Sequence, residues 1–124
     1  MSELDIPYCL DIVSAFGCEC SMDDEYLGQT MHFQDSDKNK LQISVSRADH
    51  SVMIVLSDKN GFVINNFFFV YLTRFVMDAK KNTLTLYFGP EKQQLVVITL
   101  WEKFSIVIED TWYSMSNTLK KSGL

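Results

Sequence analysis

The sequence lacks the features that mark exported or membrane-anchored proteins. It has no apolar run approaching the roughly 20 residues that cross a bilayer, and its first residues, Met1–Asp5, are acidic where a secretory signal peptide is basic. Its cysteines, Cys9, Cys18 and Cys20, are odd in number, so free thiols in a reducing compartment are expected. These absences favour a cytoplasmic protein that does not bind membranes.

The sequence also lacks a complete set of metal ligands. Cys18 and Cys20 could supply two thiolates, but His32 and His50 show no spacing that would complete a four-ligand zinc site. The stretch Asp35–Asn39 begins like a calcium-binding loop, yet a lysine follows where that loop needs a glycine. We therefore expect ordinary thiols, a hairpin turn at Asp35–Asn39, and no metal or other cofactor.

Catalytic motifs are missing as well. There is no nucleophile elbow, no phosphate-binding glycine loop and no zinc-protease motif. Asp49, His50 and Ser51 are adjacent in a predicted turn, but neighbours along a strand point to opposite faces and do not assemble a triad. We expect a protein that is not an enzyme; a small hydrolase or isomerase using His32 or His50 is the remaining enzymatic alternative.

Lys and Arg are absent from the first 37 positions, which carry nine acids. The rest of the chain holds eleven bases and seven acids, so the net charge of −5 arises from the N-terminal third. A one-sided acidic field repels nucleic acid phosphates and favours a basic protein partner. The alternative is that these acids serve only solubility.

A helix is predicted near each end of the chain. Pro7 suits a first helical turn and Gly17 a left-handed C-cap. Between them lies an apolar stripe predicted to be core, made of Tyr8, Cys9, Ile12, Val13 and Phe16. The second helix is predicted from Thr111 to Lys121, with Asp110 as its N-cap.

The segment between the helices is rich in β-branched and aromatic residues bounded by turn signals, which is typical of consecutive strands. The strands are predicted at Thr30–Phe33, Leu41–Val45, Val52–Leu56, Phe62–Ile64, Phe67–Leu72, Thr83–Phe88, Leu95–Trp101 and Phe104–Ile108. The predicted fold class is α+β, a single domain over 1–124. It contains an antiparallel six- to eight-stranded meander sheet, strongly curled or a half-barrel, because Phe67, Phe68 and Phe69 cannot all enter one core. An open sheet and a sandwich also fit the pattern.

In size, charge and overall pattern, the chain resembles the small immunity proteins that bacteria make against their own secreted toxins, including those of contact-dependent growth inhibition systems. The resemblance implies a basic cognate toxin domain, with a nuclease as the expected kind. The acids would then imitate phosphates and pair with toxin Lys and Arg. The predicted partner-binding residues are Glu19, Asp23, Asp24, Glu25, Asp35 and Asp37, with Tyr26 supplying an apolar contact.

Other aromatic residues are candidates for interface anchors. Trp101 and the Phe67–Phe69 run could fill that role, since desolvated aromatics dominate binding energy, although core packing is the alternative for each. An acidic chaperone for a secreted effector, resembling those of type III secretion, is the second binding hypothesis. Such chaperones usually dimerise, whereas the immunity hypothesis predicts a monomer or weak dimer.

Overall fold

The computed structural model describes residues 6–23, 27–89 and 94–110. The predicted C-terminal helix from Thr111 to Lys121 lies outside the described residues, as do the predicted contact residues Asp24, Glu25 and Tyr26. Within the described part, one helix precedes nine strands: α1 (Cys9–Phe16), β1 (Glu19–Asp23), β2 (Gly28–Gln34), β3 (Lys40–Ser46), β4 (Ser51–Ser57), β5 (Val63–Phe69), β6 (Leu72–Asp78), β7 (Thr83–Phe88), β8 (Gln94–Thr99) and β9 (Ser105–Asp110).

Helix α1 is short and buries a narrower side than its sequence predicts. Ile12 is fully buried and the Phe16 ring packs edge-on against Phe33, with 6.3 Å between centroids. Tyr8, at 67% exposure, and Val13, at 37%, lie outside the core, so the predicted five-residue apolar stripe is only partly core. As predicted, Gly17 ends the helix in the left-handed conformation, with φ of 65°, and its N–H donates to the Val13 carbonyl.

The strands form two antiparallel meanders rather than one sheet. Strands β1 to β5 make a five-stranded sheet in sequence order, and β6 to β9 make a four-stranded sheet in sequence order. The predicted antiparallel meander is confirmed within each sheet, but the predicted single sheet of six to eight strands is wrong. Neither sheet closes into a barrel.

The break between the sheets falls inside the predicted strand Phe67–Leu72. Strand β5 ends at Phe69, and Tyr71 has a positive φ of 64°, a conformation that an extended strand cannot contain. The backbone then turns: the Leu72 N–H donates to the His50 carbonyl and the Gly89 N–H to the Tyr71 carbonyl. Leu72 therefore begins the second sheet instead of ending a strand of the first.

Alternation along β3 is confirmed. Leu41, Ile43 and Val45 are buried, while Gln42 and Ser44 lie on the outer face. The inner faces of both sheets and α1 contribute to one hydrophobic core, whose buried members are Ile6, Ile12, Met31, Phe33, Leu41, Ile43, Val45, Val52, Ile54, Leu72, Phe75, Leu84, Leu86, Phe88, Val96, Ile98 and Leu100.

The Phe-rich run divides between core and surface, as strand geometry requires. Phe67 and Phe69 are half-buried and stack on each other, and Phe69 stacks on Phe88 of the second sheet with centroids 5.1 Å apart. Phe68 points the other way and is 67% exposed. The core hypothesis is therefore confirmed for Phe67 and Phe69 and is wrong for Phe68.

Two of the cysteines are bonded, contrary to the prediction of free thiols. Cys9 at the start of α1 and Cys20 in β1 form a disulfide, with their Cα atoms 5.4 Å apart. Helix α1 folds back beside β1, and this tertiary contact brings together two residues whose sequence spacing alone does not reveal a pair. Cys18 is a free, half-buried thiol whose pKa is raised by burial.

Candidate functional site

One end of the molecule collects the loops from both sheets. It contains the α1–β1 junction and the turns at 35–39, 58–62, 79–82 and 100–104; we call it the turn end. Backbone hydrogen bonds join loops of different sheets there, since the Ser36 N–H donates to the Glu102 carbonyl at 2.8 Å. Within the second sheet, the Leu100 N–H donates to the Asn82 carbonyl at 2.8 Å.

Asp35 organises this end from a buried position. It is 5% exposed, and its Oδ1 accepts from the backbone N–H groups of Asp37 and Asn39 at 3.0 and 2.9 Å. Its Oδ2 accepts from the Asn39 side chain at 3.3 Å and, across the sheets, from the Phe104 N–H at 3.2 Å. Burial alone would raise the pKa of this carboxyl, but the hydrogen bonds from Phe104, Asn39 and Asp37 outweigh burial and lower that pKa.

The hairpin turn predicted at Asp35–Asn39 is therefore confirmed, and its first carboxylate is used internally. Asp58 begins the β4–β5 turn in a similar way, with its Oδ1 accepting from the N–H groups of Asn60 and Phe62. Asp78 does the same for Lys80 and Lys81. An aspartate at the head of a turn supplies acceptors that the turn backbone lacks.

A groove of about 670 Å³ opens at the turn end. Its lining includes the buried side chains of Phe33, Leu41 and Leu100, together with Phe16 from α1. Exposed side chains border these apolar groups: Glu19, His32, Gln34, Lys40 and Trp101. An apolar lining with a few charged groups beside it is typical of a binding site.

Glu19 and Trp101 are the two groove residues that best suit a protein partner. Glu19 is exposed in β1 and stands directly opposite His32 of β2 in the strand register. Trp101 follows β8 in the 100–104 loop and is 53% exposed. The Asp35–Phe104 and Ser36–Glu102 hydrogen bonds attach that loop to the first sheet, so Trp101 is presented on a fixed backbone.

The predicted acidic contact residues do not form one patch. Asp37 lies at the turn end, where its carboxylate is 3.6 Å from Lys103 Nζ in an exposed ion pair. Asp23 is exposed at the opposite end of β1, about 13 Å from Glu19 at about 3.3 Å per residue. Asp35 is buried and already accepts four hydrogen bonds, so it is unavailable as an exposed contact. Glu19 and Asp37 thus share an end that Asp23 does not.

Sequence reasoning identifies His32 only as a candidate catalytic residue, and it does not identify Lys40 or the groove. The alternation pattern gives no sign that either residue belongs to a binding site, because each is a polar residue on the solvent face of a strand. Trp101 was a named anchor candidate, and its exposure keeps that hypothesis open. The groove arises from loops that are distant in sequence.

The Asp49–Ser51 segment adopts a local turn rather than a catalytic arrangement. The Asp49 carboxylate accepts from the Ser51 hydroxyl at 2.6 Å and from the Ser51 N–H at 3.2 Å, and the hydroxyl bond lowers the pKa of this carboxyl. His50 has a positive φ of 55° within the turn. The described ranges 6–23, 27–89 and 94–110 contain no group of three or more His, Cys, Asp or Glu that could hold a metal ion.

No helix in the described part of the chain is long and apolar enough to span a membrane.

Comparison with known proteins identifies a relative by sequence and a similar solved structure. No family model matches the chain. The uncharacterized protein PM0492 of Pasteurella multocida (strain Pm70) is 28% identical over 105 residues, or 84% of this chain and 95% of the relative. One chain of a contact-dependent growth inhibition toxin–immunity protein complex from Klebsiella pneumoniae 342 matches with a TM-score of 0.74. The two chains share a fold.

That structural likeness extends over 88% of this chain and 98% of the Klebsiella chain, at 12% sequence identity. At this level of sequence identity, the match shows a shared fold. The resemblance to immunity proteins of contact-dependent growth inhibition, predicted from the sequence, is confirmed at the level of the fold.

Proposed function

We propose that this protein is an immunity protein that binds and neutralises the cognate toxin of a contact-dependent growth inhibition system. The observation that carries the proposal is the shared fold with a chain of a toxin–immunity complex over nearly the whole of both chains. A fold alone does not specify a function. The charge pattern supplies the second support: the acidic N-terminal third suits the component that receives a basic partner.

The partner in this proposal is a basic toxin domain, with a nuclease as the expected chemistry. A nuclease grips nucleic acid phosphates with Lys and Arg, and those side chains would also bind carboxylates. The exposed acids Glu19 and Asp37 at the turn end are the proposed charge contacts, and Asp23 is a further exposed acid on β1. Asp35 is left out because it is buried.

Trp101 is the proposed source of tight binding. Tryptophan buried at the centre of an interface contributes more than exposed ion pairs, which contribute about 0–1 kcal/mol each. Its half-exposed ring borders the same groove as Glu19, so one partner surface could meet both. The charges would then mainly accelerate association, and the ring would slow dissociation.

The first experiment mixes the purified protein with the product of the neighbouring gene, at low and moderate salt, and measures binding and toxicity together. Binding that weakens as salt rises, with loss of toxicity, is the expected result. Binding without loss of toxicity would favour the chaperone hypothesis instead. Absence of binding at both salt concentrations would refute the immunity role with that partner.

A second experiment tests the location of the contact surface. Glu19→Lys should lower the association rate constant and its salt dependence, because a steering charge is inverted. Glu109→Lys makes the same charge change on exposed β9 and is the matched control. Trp101→Ala should raise the dissociation rate, weakening binding by about 2 kcal/mol or more. Equal effects of Glu19→Lys and Glu109→Lys would show that overall charge, rather than the turn end, governs binding.

The proposal keeps the predicted cytoplasmic location. The Cys9–Cys20 disulfide is of a kind more usual in oxidising compartments. Alkylation of free thiols in intact cells, followed by mass spectrometry, would show whether this bond is reduced or oxidised in the cell. If the protein acts in the cytoplasm, Cys9 and Cys20 should be reduced and therefore labelled. An unlabelled pair would indicate that the protein acts in an oxidising compartment.

A further inference from the structure

We propose that the edge of strand β5 is a self-association surface, at which β5 pairs antiparallel with β5 of a second copy. Strand β5 is an edge of the five-stranded sheet, and no described strand pairs with its outer side. Unpaired N–H and C=O groups along an edge strand can accept another strand. This inference concerns a surface other than the groove and goes beyond toxin neutralisation.

Strand β5 lacks the charges that usually protect a sheet edge. The chain has no Asp, Glu, Lys or Arg between Lys59 and Arg74, a stretch of fourteen residues. The other edge strands do carry charges: Glu19 and Asp23 in β1, Arg74 and Asp78 in β6, and Glu109 in β9. Charged side chains on an edge oppose pairing with another chain, so β5 is the edge that permits it.

The surface around this edge is strongly apolar. The exposed large hydrophobic residues near it are Phe62 (72%), Val63 (62%), Ile64 (55%), Phe68 (67%), Val70 (46%) and Tyr71 (67%). Aromatic side chains bury about 150–250 Å² each when fully covered. About 70% of each of the rings of Phe62, Phe68 and Tyr71 is still exposed, so covering all three would bury about 300–500 Å² more. A stable interface takes about 800 Å² from each partner, and the aliphatic residues and backbone of β5 lie in the same strip.

The absence of charge favours a second copy over a basic partner. A two-fold contact sets the same strand against itself, so any charge there would face a like charge. The net charge of −5 repels copies elsewhere on the surface, but not along this strip. A basic toxin, in contrast, would gain no electrostatic attraction from an uncharged strand.

The centre of β5 is suited to self-pairing. Asn65 and Asn66 are exposed and uncharged, so neither side chain opposes the approach of a second strand by charge. The register between β4 and β5 shifts between Leu56 and Ser57, which marks an irregularity near the start of β5. The regular segment available for pairing is therefore Asn65–Phe69.

Sedimentation over a range of protein concentrations tests the proposal. The wild-type protein should dimerise, and Phe68→Lys should weaken the dimer by at least about tenfold, since it places like charges near the two-fold axis. Ser105→Lys adds the same charge to the exposed start of the β9 edge and should leave dimerisation unchanged. A wild-type protein that stays monomeric, or a Phe68→Lys variant that dimerises as well as wild type, would overturn the proposal.

Charge complementation separates a lost interface from a damaged fold. Phe68→Glu should also be monomeric, while an equal mixture of the Lys and Glu variants should form a heterodimer. Urea midpoints close to wild type for both variants would accompany this result, since Phe68 is exposed. A mixture that remains monomeric would count against β5 pairing. If the wild-type protein is monomeric and Phe68→Lys no longer binds the toxin, the self-association proposal is wrong and β5 is instead part of the toxin-binding surface.

Discussion

Removal of the Asp35 carboxylate should destabilise the protein more than removal of any other turn aspartate. Asp35→Ala leaves the N–H groups of Asn39 and Phe104 without their acceptor in a site that is 5% exposed. An unsatisfied buried donor costs about 1–3 kcal/mol, and a hydrogen bond to a charged group contributes about 1.5–3 kcal/mol. The Asp37 N–H can form a hydrogen bond with water instead, so it adds little to the loss. The expected decrease in unfolding free energy is about 2–4 kcal/mol.

Asp58→Ala is the matched control. Asp58 accepts two backbone hydrogen bonds within its own turn, as Asp35 does, but these bonds are exposed and reach no other sheet. Its removal should cost about 1 kcal/mol. Urea unfolding at neutral pH, followed by circular dichroism, measures both variants against wild type, and unchanged slopes would show that the extent of unfolding is the same. Equal losses for the two variants would refute a special role for the buried bond to Phe104.

The pH dependence gives an independent check with a definite sign. Hydrogen bonding lowers the folded-state pKa of Asp35 below its ordinary value of 3.8. The stabilisation is therefore complete above about pH 4 and is lost as the pH falls through the folded-state pKa. Asp35→Asn cannot titrate, so the stability difference between it and wild type should narrow at the most acidic pH values. A constant difference between about pH 3 and pH 7 would contradict this account.

The same variants test the groove. Because the Asp35–Phe104 bond fixes the loop that carries Trp101, Asp35→Ala should weaken toxin binding even where the protein is fully folded. Asp58→Ala should leave binding unchanged. If folded Asp35→Ala binds the toxin with wild-type affinity, the 100–104 loop is not part of the binding surface.

Two further predictions concern α1. Reduction of the Cys9–Cys20 disulfide, or Cys20→Ser, should lower the unfolding free energy by about 2–3 kcal/mol, because the bond closes a loop with a sequence separation of 11 residues. Urea unfolding with and without reductant measures the loss. A reductant effect that persists in Cys20→Ser would contradict the assignment of the loss to this disulfide. Gly17→Ala should cost about 1 kcal/mol through its φ of 65° alone, since no heavy atom beyond its two chain neighbours lies within 4 Å of the added methyl group. A neutral effect in thermal unfolding would refute the strain argument.

Local structure was predictable where one short segment contains the whole physical cause. The burial of Leu41, Ile43 and Val45 follows from the two-residue period of a strand, and that pattern is complete within β3. The turn at Asp35–Asn39 and the helix end at Gly17 likewise depend on side chains and backbone within a few residues. In the same way, strand geometry alone required that Phe68 and its neighbours point to opposite faces.

The candidate site depended on contacts between distant residues. The Asp35 carboxylate meets the Phe104 N–H across 69 positions of sequence, and this contact, rather than local acidity, decides that Asp35 is structural. The left-handed turn at Tyr71 divides the strands into two sheets, and that division creates both the groove and the uncharged β5 edge. The sequence by itself determined the periodicity of the strands, their turns and the one-sided charge. Only the tertiary structure decided which acids share a surface. Glu19 and Asp23 are close in sequence but lie at opposite ends of β1, whereas Asp37, which is distant in sequence, lies at the same end as Glu19.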